Sequence, residues 1–207
     1  MSTPDGFRGV DAEAVLVRTK TLVFVALLAV LAGCSGAPEP GSTGPLPTGT
    51  PNESVPDETT HEVTVVSVAD GDTVDVRFAN GTTDTVRLLG IDTPEVHVEV
   101  DPTQYEGFDD TDGVRSCLRA AGEDASDVVS DRVDGETVTL ALDPESDGRG
   151  GYGRILGYVV HDGTNLNLAL VEAGHARVYD SEFTLRSTFD SAEADARAND
   201  RGLWACG

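Results

Sequence analysis

The chain has 207 residues, 39% of them hydrophobic and only 5% aromatic, which leaves room for one ordinary core plus some non-globular sequence, not for two cores. Its 37 acidic and 14 basic residues give a formal charge of −23, and Lys20 is the only lysine, so the broad basic footprint of a generic nucleic-acid binder is absent. Such self-repulsion destabilises a compact state unless salt screens it, so the acidity reads as adaptation to a very salty medium; an acidic calcium-buffering or disordered chain is the alternative, and the regular apolar alternation below argues against disorder.

Residues 18–34 read as an export signal: Arg18 and Lys20, an apolar run from Thr21 to Ala32, then Gly33 and Cys34. The run is shorter than the roughly 20 residues that a transmembrane helix needs. Leu31, Ala32, Gly33 and Cys34 are similar to a lipobox, in which Cys34 carries the lipid, so residues 1–33 are expected to be removed. A buried core helix is the competing reading, but the proline-rich stretch that follows offers it nothing to pack against. Residues 34–60 are rich in Pro, Gly, Ser and Thr and have no apolar period, which predicts a tether spanning about 28 Å if coil-like. Asn52-Glu53-Ser54 and Asn80-Gly81-Thr82 match the N-glycosylation sequon.

The predicted globular domain covers residues 61–207. From Val63 to Ala69 apolar and small residues alternate and Asp70-Gly71 closes the run, which predicts a strand and tight turn. Thr73 to Phe78 and Thr83 to Leu89 read as two further strands around the strong hairpin signal Asn80-Gly81. Residues 96–112 are acidic and aperiodic, a long loop of the kind that carries function or specificity. Val114 to Val133 has helical spacing, Thr137 to Leu142 and Arg154 to Val160 alternate as strands, and Asn165 to Glu172 and Thr184 to Asn199 read as helices. Three strands, a helix, two strands and two helices predict an α+β fold: a five-stranded OB-type Greek-key barrel with about three packed helices.

Three charged clusters interrupt this pattern at strand ends: Asp70-Gly71-Asp72-Thr73, Arg87-Leu88-Leu89-Gly90-Ile91-Asp92-Thr93-Pro94-Glu95 and Tyr152-Gly153-Arg154. Each alone has an ordinary explanation as a turn, a helix cap or a surface ion pair. In order, spacing and identity they resemble the thermonuclease, or staphylococcal-nuclease-like, family, over roughly Glu62 to Trp204. The resemblance implies a calcium ion held by Asp72, Asp92 and the Thr93 carbonyl, with Arg87, Glu95 and Arg154 as catalytic residues and Tyr152 against the substrate. The chemistry is coherent. Hydrolysis of a phosphodiester needs charge neutralisation on the phosphate oxygens and fixed geometry. Calcium accepts a loose shell of hard oxygens, and arginine forks hold phosphate oxygens in pairs. The sequence departs from the family in the loop from Val96 to Asp112, which is acidic where the family's groove is usually lysine-rich, a difference that disfavours tight duplex binding.

With Cys34 lipidated, Cys117 and Cys206 are left, and export permits a disulfide between them; two buried thiols are the alternative. The expected protein is a monomeric, calcium-dependent nuclease, exported and held at the membrane through a lipid anchor, acting on DNA and/or RNA. A catalytically inactive OB-type nucleic-acid-binding module predicts gaps among the catalytic positions, and there are none. A calcium-buffering surface lipoprotein gives no reason for arginines inside the acidic clusters.

Overall fold

A computed structural model describes Val55 and residues 59–207; the expected signal sequence, the lipidation site Cys34 and nearly all of the tether lie outside these residues. The first strand, β1 (Thr59–Asp70), begins two residues inside the stretch read as tether. It continues into β2 (Thr73–Phe78) and β3 (Thr83–Leu88), an antiparallel meander. The β2–β3 turn is closed as its sequence predicts: Gly81 has φ +84°, and Asn80 Oδ1 accepts hydrogen bonds from Thr82 N and Oγ1.

β1 is long because it serves two neighbours. Its first half pairs antiparallel with β5 (Thr137–Leu142), its second half with β2. Register shifts after Val65 and after Val68 bend it between the two partners, as bulges do. The shifts also end the strict alternation expected from the sequence: Val63 and Val65 are buried and Val66 exposed as alternation predicts, but Ser67 and Ala69 are exposed and Val68 is half-buried. β5 then pairs with β6 (Ile155–His161), and β6 runs parallel to β3, with Val86 opposite Ile155 and Leu88 opposite Gly157. That last pairing closes the five strands into a barrel, which leaves few unpaired edges. Gly157 is required at the seam, since a Cβ there would come within 2.7 Å of Leu140 Cδ1.

Two pairs too short for any periodicity complete the strands. β4 (Ile91–Asp92) pairs antiparallel with β8 (Arg177–Val178), and β7 (Thr164–Asn165) hooks back onto β6. Three helices pack around the barrel. α1 (Asp112–Val133) is capped by Thr111, whose hydroxyl accepts from Val114 N, and buries the stripe Leu118, Gly122, Ala125, Val129 and Val133. α2 (Leu166–Glu172), capped by Asn165, is buried from Leu166 to Val171 and apolar but for Asn167. Asn167 is satisfied there: its Oδ1 accepts from Val159 N, and its Nδ2 donates to Leu89 O and Gly157 O. α3 (Arg186–Ala198) follows, two residues shorter at its start and one at its end than the sequence predicts. Among the described residues no helix is long and apolar enough to cross a membrane.

The interior has two parts. The larger fills the barrel and reaches Tyr158 and Phe189 under α3. The smaller gathers Val100, Tyr105, Leu118, Ala196, Leu203 and Trp204, with Phe108 beside them. The acidic 96–112 segment is therefore not a free loop. It contains a 3-10 turn (Pro102–Gln104) and sinks Val100 and Tyr105 into this second core. Cys117 on α1 and Cys206 in the final 3-10 turn (Gly202–Cys206) are disulfide-bonded, with Cα atoms 5.7 Å apart, across the same core.

Candidate active site

The Asp70-Gly71-Asp72-Thr73 turn joins β1 to β2 against the flank of α1. Gly71 is the point of contact: a Cβ there would meet Ala125 Cβ at 2.8 Å and Thr93 Cγ2 at 3.0 Å. Close approach of three elements carries Asp72 into the interior, where it is only 2% exposed. Its carboxylate accepts from Thr73 Oγ1 at 2.9 Å and from Thr93 N at 3.2 Å, and it pairs with the Arg87 guanidinium. Arg87 sits opposite Thr73 in the β2–β3 register, so the pairing of the two strands delivers it there. Its Nη2 donates to Asp92 Oδ1 at 2.5 Å, so Arg87 spans both aspartates.

The electrostatics of this trio are unbalanced. Burial, opposed by Arg87 and helped by Asp70, pushes the Asp72 carboxyl up to about 7. Burial also works against the Arg87 charge, but Asp72 and Asp92 outweigh it and hold the guanidinium above its ordinary value. A buried carboxylate left short of positive charge next to a second carboxylate favours an added cation.

The donor set fits a hard divalent ion. Asp72 and Asp92 converge on a single guanidinium, so one cation at that point would reach both. No hydrogen bond among the described residues uses the Thr93 carbonyl. Oxygen donors alone, two of them anionic, suit calcium rather than a metal that prefers nitrogen or sulfur. Among the described residues no cluster of three His, Cys, Asp or Glu side chains is already drawn together to hold a metal, so two carboxylates and a carbonyl would leave much of the shell to water and substrate.

Arg154 lies immediately before β6, and its Nη1 donates to Thr73 Oγ1 at 3.3 Å. It makes no ion pair among the described residues, and its Nε is buried without a hydrogen-bond partner. An arginine so placed is prepared for an external anion. Tyr152 precedes it on the Gly-rich turn, 91% exposed, with its ring centroid 5.7 Å from the Arg154 guanidinium carbon. Arg149 fixes that turn to β3 through Asp84 at 2.6 Å. Glu95 follows the buried Pro94, is exposed, and has no hydrogen-bond or ion-pair partner among the described residues. Burial raises the Tyr105 phenol, the Asp92 carboxylate adds to this and Glu95 adds less, while Arg177 opposes them.

Asp72, Arg87, Asp92 and Thr93 are thus linked directly, Arg154 joins them through Thr73, and Glu95 and Tyr152 stand at the exposed rim. A further member was not legible in the sequence. Arg177 donates from Nη2 to Asp92 Oδ2 at 2.7 Å, and its Nε is likewise buried without a partner.

The chain is similar to several known proteins. Residues 85–206 match the family described as staphylococcal nuclease homologue. An uncharacterised protein of Methanocaldococcus jannaschii is 38% identical over 147 residues, covering 68% of this chain and 70% of that one. A prophage-derived endonuclease of Bacillus subtilis is 34% identical over 147 residues, 70% of this chain and 44% of the relative, so the match spans less than half of that protein. The thermonuclease of Staphylococcus hyicus is 27% identical over 143 residues, 68% of this chain and 74% of the relative.

Proposed function

The chain belongs to the staphylococcal nuclease homologue family, and we propose that it is an exported, calcium-dependent endonuclease that hydrolyses phosphodiester bonds of DNA and/or RNA. The observation that carries this reading is Arg154. In a chain of charge −23 it has no ion-pair partner among the described residues and a buried, unpartnered Nε, beside a carboxylate pair that fits a cation.

Asp72, Asp92 and the Thr93 carbonyl would hold the calcium, which when bound supplies positive charge to the scissile phosphate. Arg87 and Arg154 approach the phosphate from the protein side and take its non-bridging oxygens, with geometry fixed by the β2–β3 register and the β6 end. Their guanidinium charge does not titrate at working pH, and each such donor is worth about 100- to 1,000-fold in turnover. Glu95, exposed and unpartnered, orients the attacking water and accepts its proton. Tyr152 offers an exposed ring on which a base can stack, at about 1–3 kcal/mol per base. The acidic rim from residue 96 onward favours single-stranded over duplex substrate. The same reading includes lipid anchoring at Cys34, a monomeric state and operation in concentrated salt.

The test is release of acid-soluble nucleotides from single-stranded DNA and RNA by the full chain in about 2 M salt, where screening of the surface charge is nearly complete. Activity is expected to require calcium, to vanish with chelator, and to fall at least about 100-fold in Glu95→Gln and in Arg154→Ala. Folded protein inert on both substrates with calcium present would overturn the reading.

A further inference from the structure

Asp92 is held at both ends. Its Oδ1 receives Arg87, which it shares with Asp72, and its Oδ2 receives Arg177. The two contacts differ in what maintains them. Arg87 is committed elsewhere once a phosphate arrives, whereas Arg177 is fixed by the fold: it lies directly opposite Asp92 in the β4–β8 register, a pairing of two residues on each side. Its guanidinium carbon lies 5.6 Å from the centroid of the Tyr105 ring, and its Nη2 is 3.4 Å from Gln104 Oε1. Tyr105 in turn is anchored in the second core. With side-chain exposures of 19% and 14%, the Arg177–Asp92 pair is largely shielded from solvent.

Accepting the calcium reading above, on which this step rests, we infer that Arg177 is a positioning residue that holds Asp92 by one oxygen so that the other faces the cation. A carboxylate ligand free to turn about its last torsion must be immobilised when metal binds, and partners that fix ligating groups in advance typically contribute about 10- to 100-fold in metal affinity. Two effects of removing Arg177 oppose each other. Loss of a nearby positive charge would tighten cation binding, and loss of orientation would weaken it. The pair is largely shielded, so salt screens the first effect only weakly; Arg177→Lys, which keeps the charge and loses the planar fork, separates the two roles instead.

The experiment is calorimetric titration of the full chain with calcium chloride alone, in about 1 M potassium chloride and without nucleic acid, for wild type, Arg177→Met and Arg177→Lys. Near-ultraviolet circular dichroism checks the fold of each. Arg177→Met is expected to bind calcium about 10- to 100-fold more weakly, and Arg177→Lys, which keeps the charge but lacks the planar fork, to fall between it and wild type. Unchanged or tighter binding by folded Arg177→Met overturns the inference, as does Arg177→Lys binding as tightly as wild type. The lysine variant decides alone if the methionine variant does not fold. Wild-type protein that takes up no calcium would sink the calcium reading itself, an outcome distinct from equal binding by wild type and variant.

Discussion

Replacing Gly122 by alanine pits helix propensity against the architecture of the site. In an exposed helix interior the change would stabilise by about 1 kcal/mol. Here a new Cβ would fall well inside 3.0 Å of the Pro94 carbonyl oxygen and 3.0 Å from both Pro94 C and Val96 Cγ1. Two of the three obstacles are backbone atoms, so α1 or the 93–96 segment must move by several tenths of an ångström. Overpacking of this kind costs about 1–3 kcal/mol, which cancels or exceeds the propensity gain. The larger effect falls on activity, because the displaced segment carries the Thr93 carbonyl and Glu95. A misplacement of about 1 Å in reacting groups costs on the order of 100-fold. Gly122→Ala is therefore expected to be between neutral and about 2 kcal/mol destabilised in a denaturant titration, from the same two magnitudes. Its nucleotide release is expected to fall about 10- to 100-fold at saturating calcium. A variant more stable by about 1 kcal/mol with unaltered turnover would refute the argument, since α1 would then have room that the structure denies it.

Two further outcomes follow from the packing. Changing Cys117 and Cys206 together to alanine opens a link between residues 89 apart and is expected to cost about 4–5 kcal/mol on the chain-entropy view, read as a lower denaturation midpoint; an unshifted midpoint would show that the second core needs no tie. His175, 9% exposed, has its imidazole pushed below 6.5 by burial, with the Asp124 carboxylate opposing. The unfolded chain then binds the proton more readily, so this histidine contributes stability above pH of about 6.5 that is lost as pH falls toward its folded value. His175→Gln should flatten that limb relative to wild type, and the comparison separates it from Asp72 and Glu193, whose raised carboxyls act in the opposite sense; parallel stability curves would contradict the assignment.

The elements that could be read from the sequence are those long enough to show a period. β2, β3, β5 and β6 each run six or seven residues, α1 spans 22, and their bounds fall close to the expected ones. β4 and β8 have two residues each, too few for alternation, and the site depends on their pairing. Arg177 was invisible for that reason: nothing about an arginine between Ala176 and Val178 distinguishes it until the register sets it opposite Asp92. The acidic segment likewise concealed its anchors, because Val100 and Tyr105 follow no spacing and find their partner Trp204 about a hundred residues downstream. Asp72, Arg87 and Asp92 were singled out only because three charged clusters together resemble one family in order and spacing; each cluster alone reads as an ordinary turn, cap or ion pair. The linking role of Thr73, between Asp72 and Arg154, was not legible.

The second core sets an order of assembly during synthesis. The barrel's strands have all been made once His161 is added, but Leu203, Trp204 and Cys206 are made more than forty residues later. Until then Tyr105 has no Trp204 to rest on, and the support beneath Arg177 and Asp92 is incomplete. The second core, and with it the support for Tyr105, therefore cannot be complete until Trp204 and Cys206 have been made.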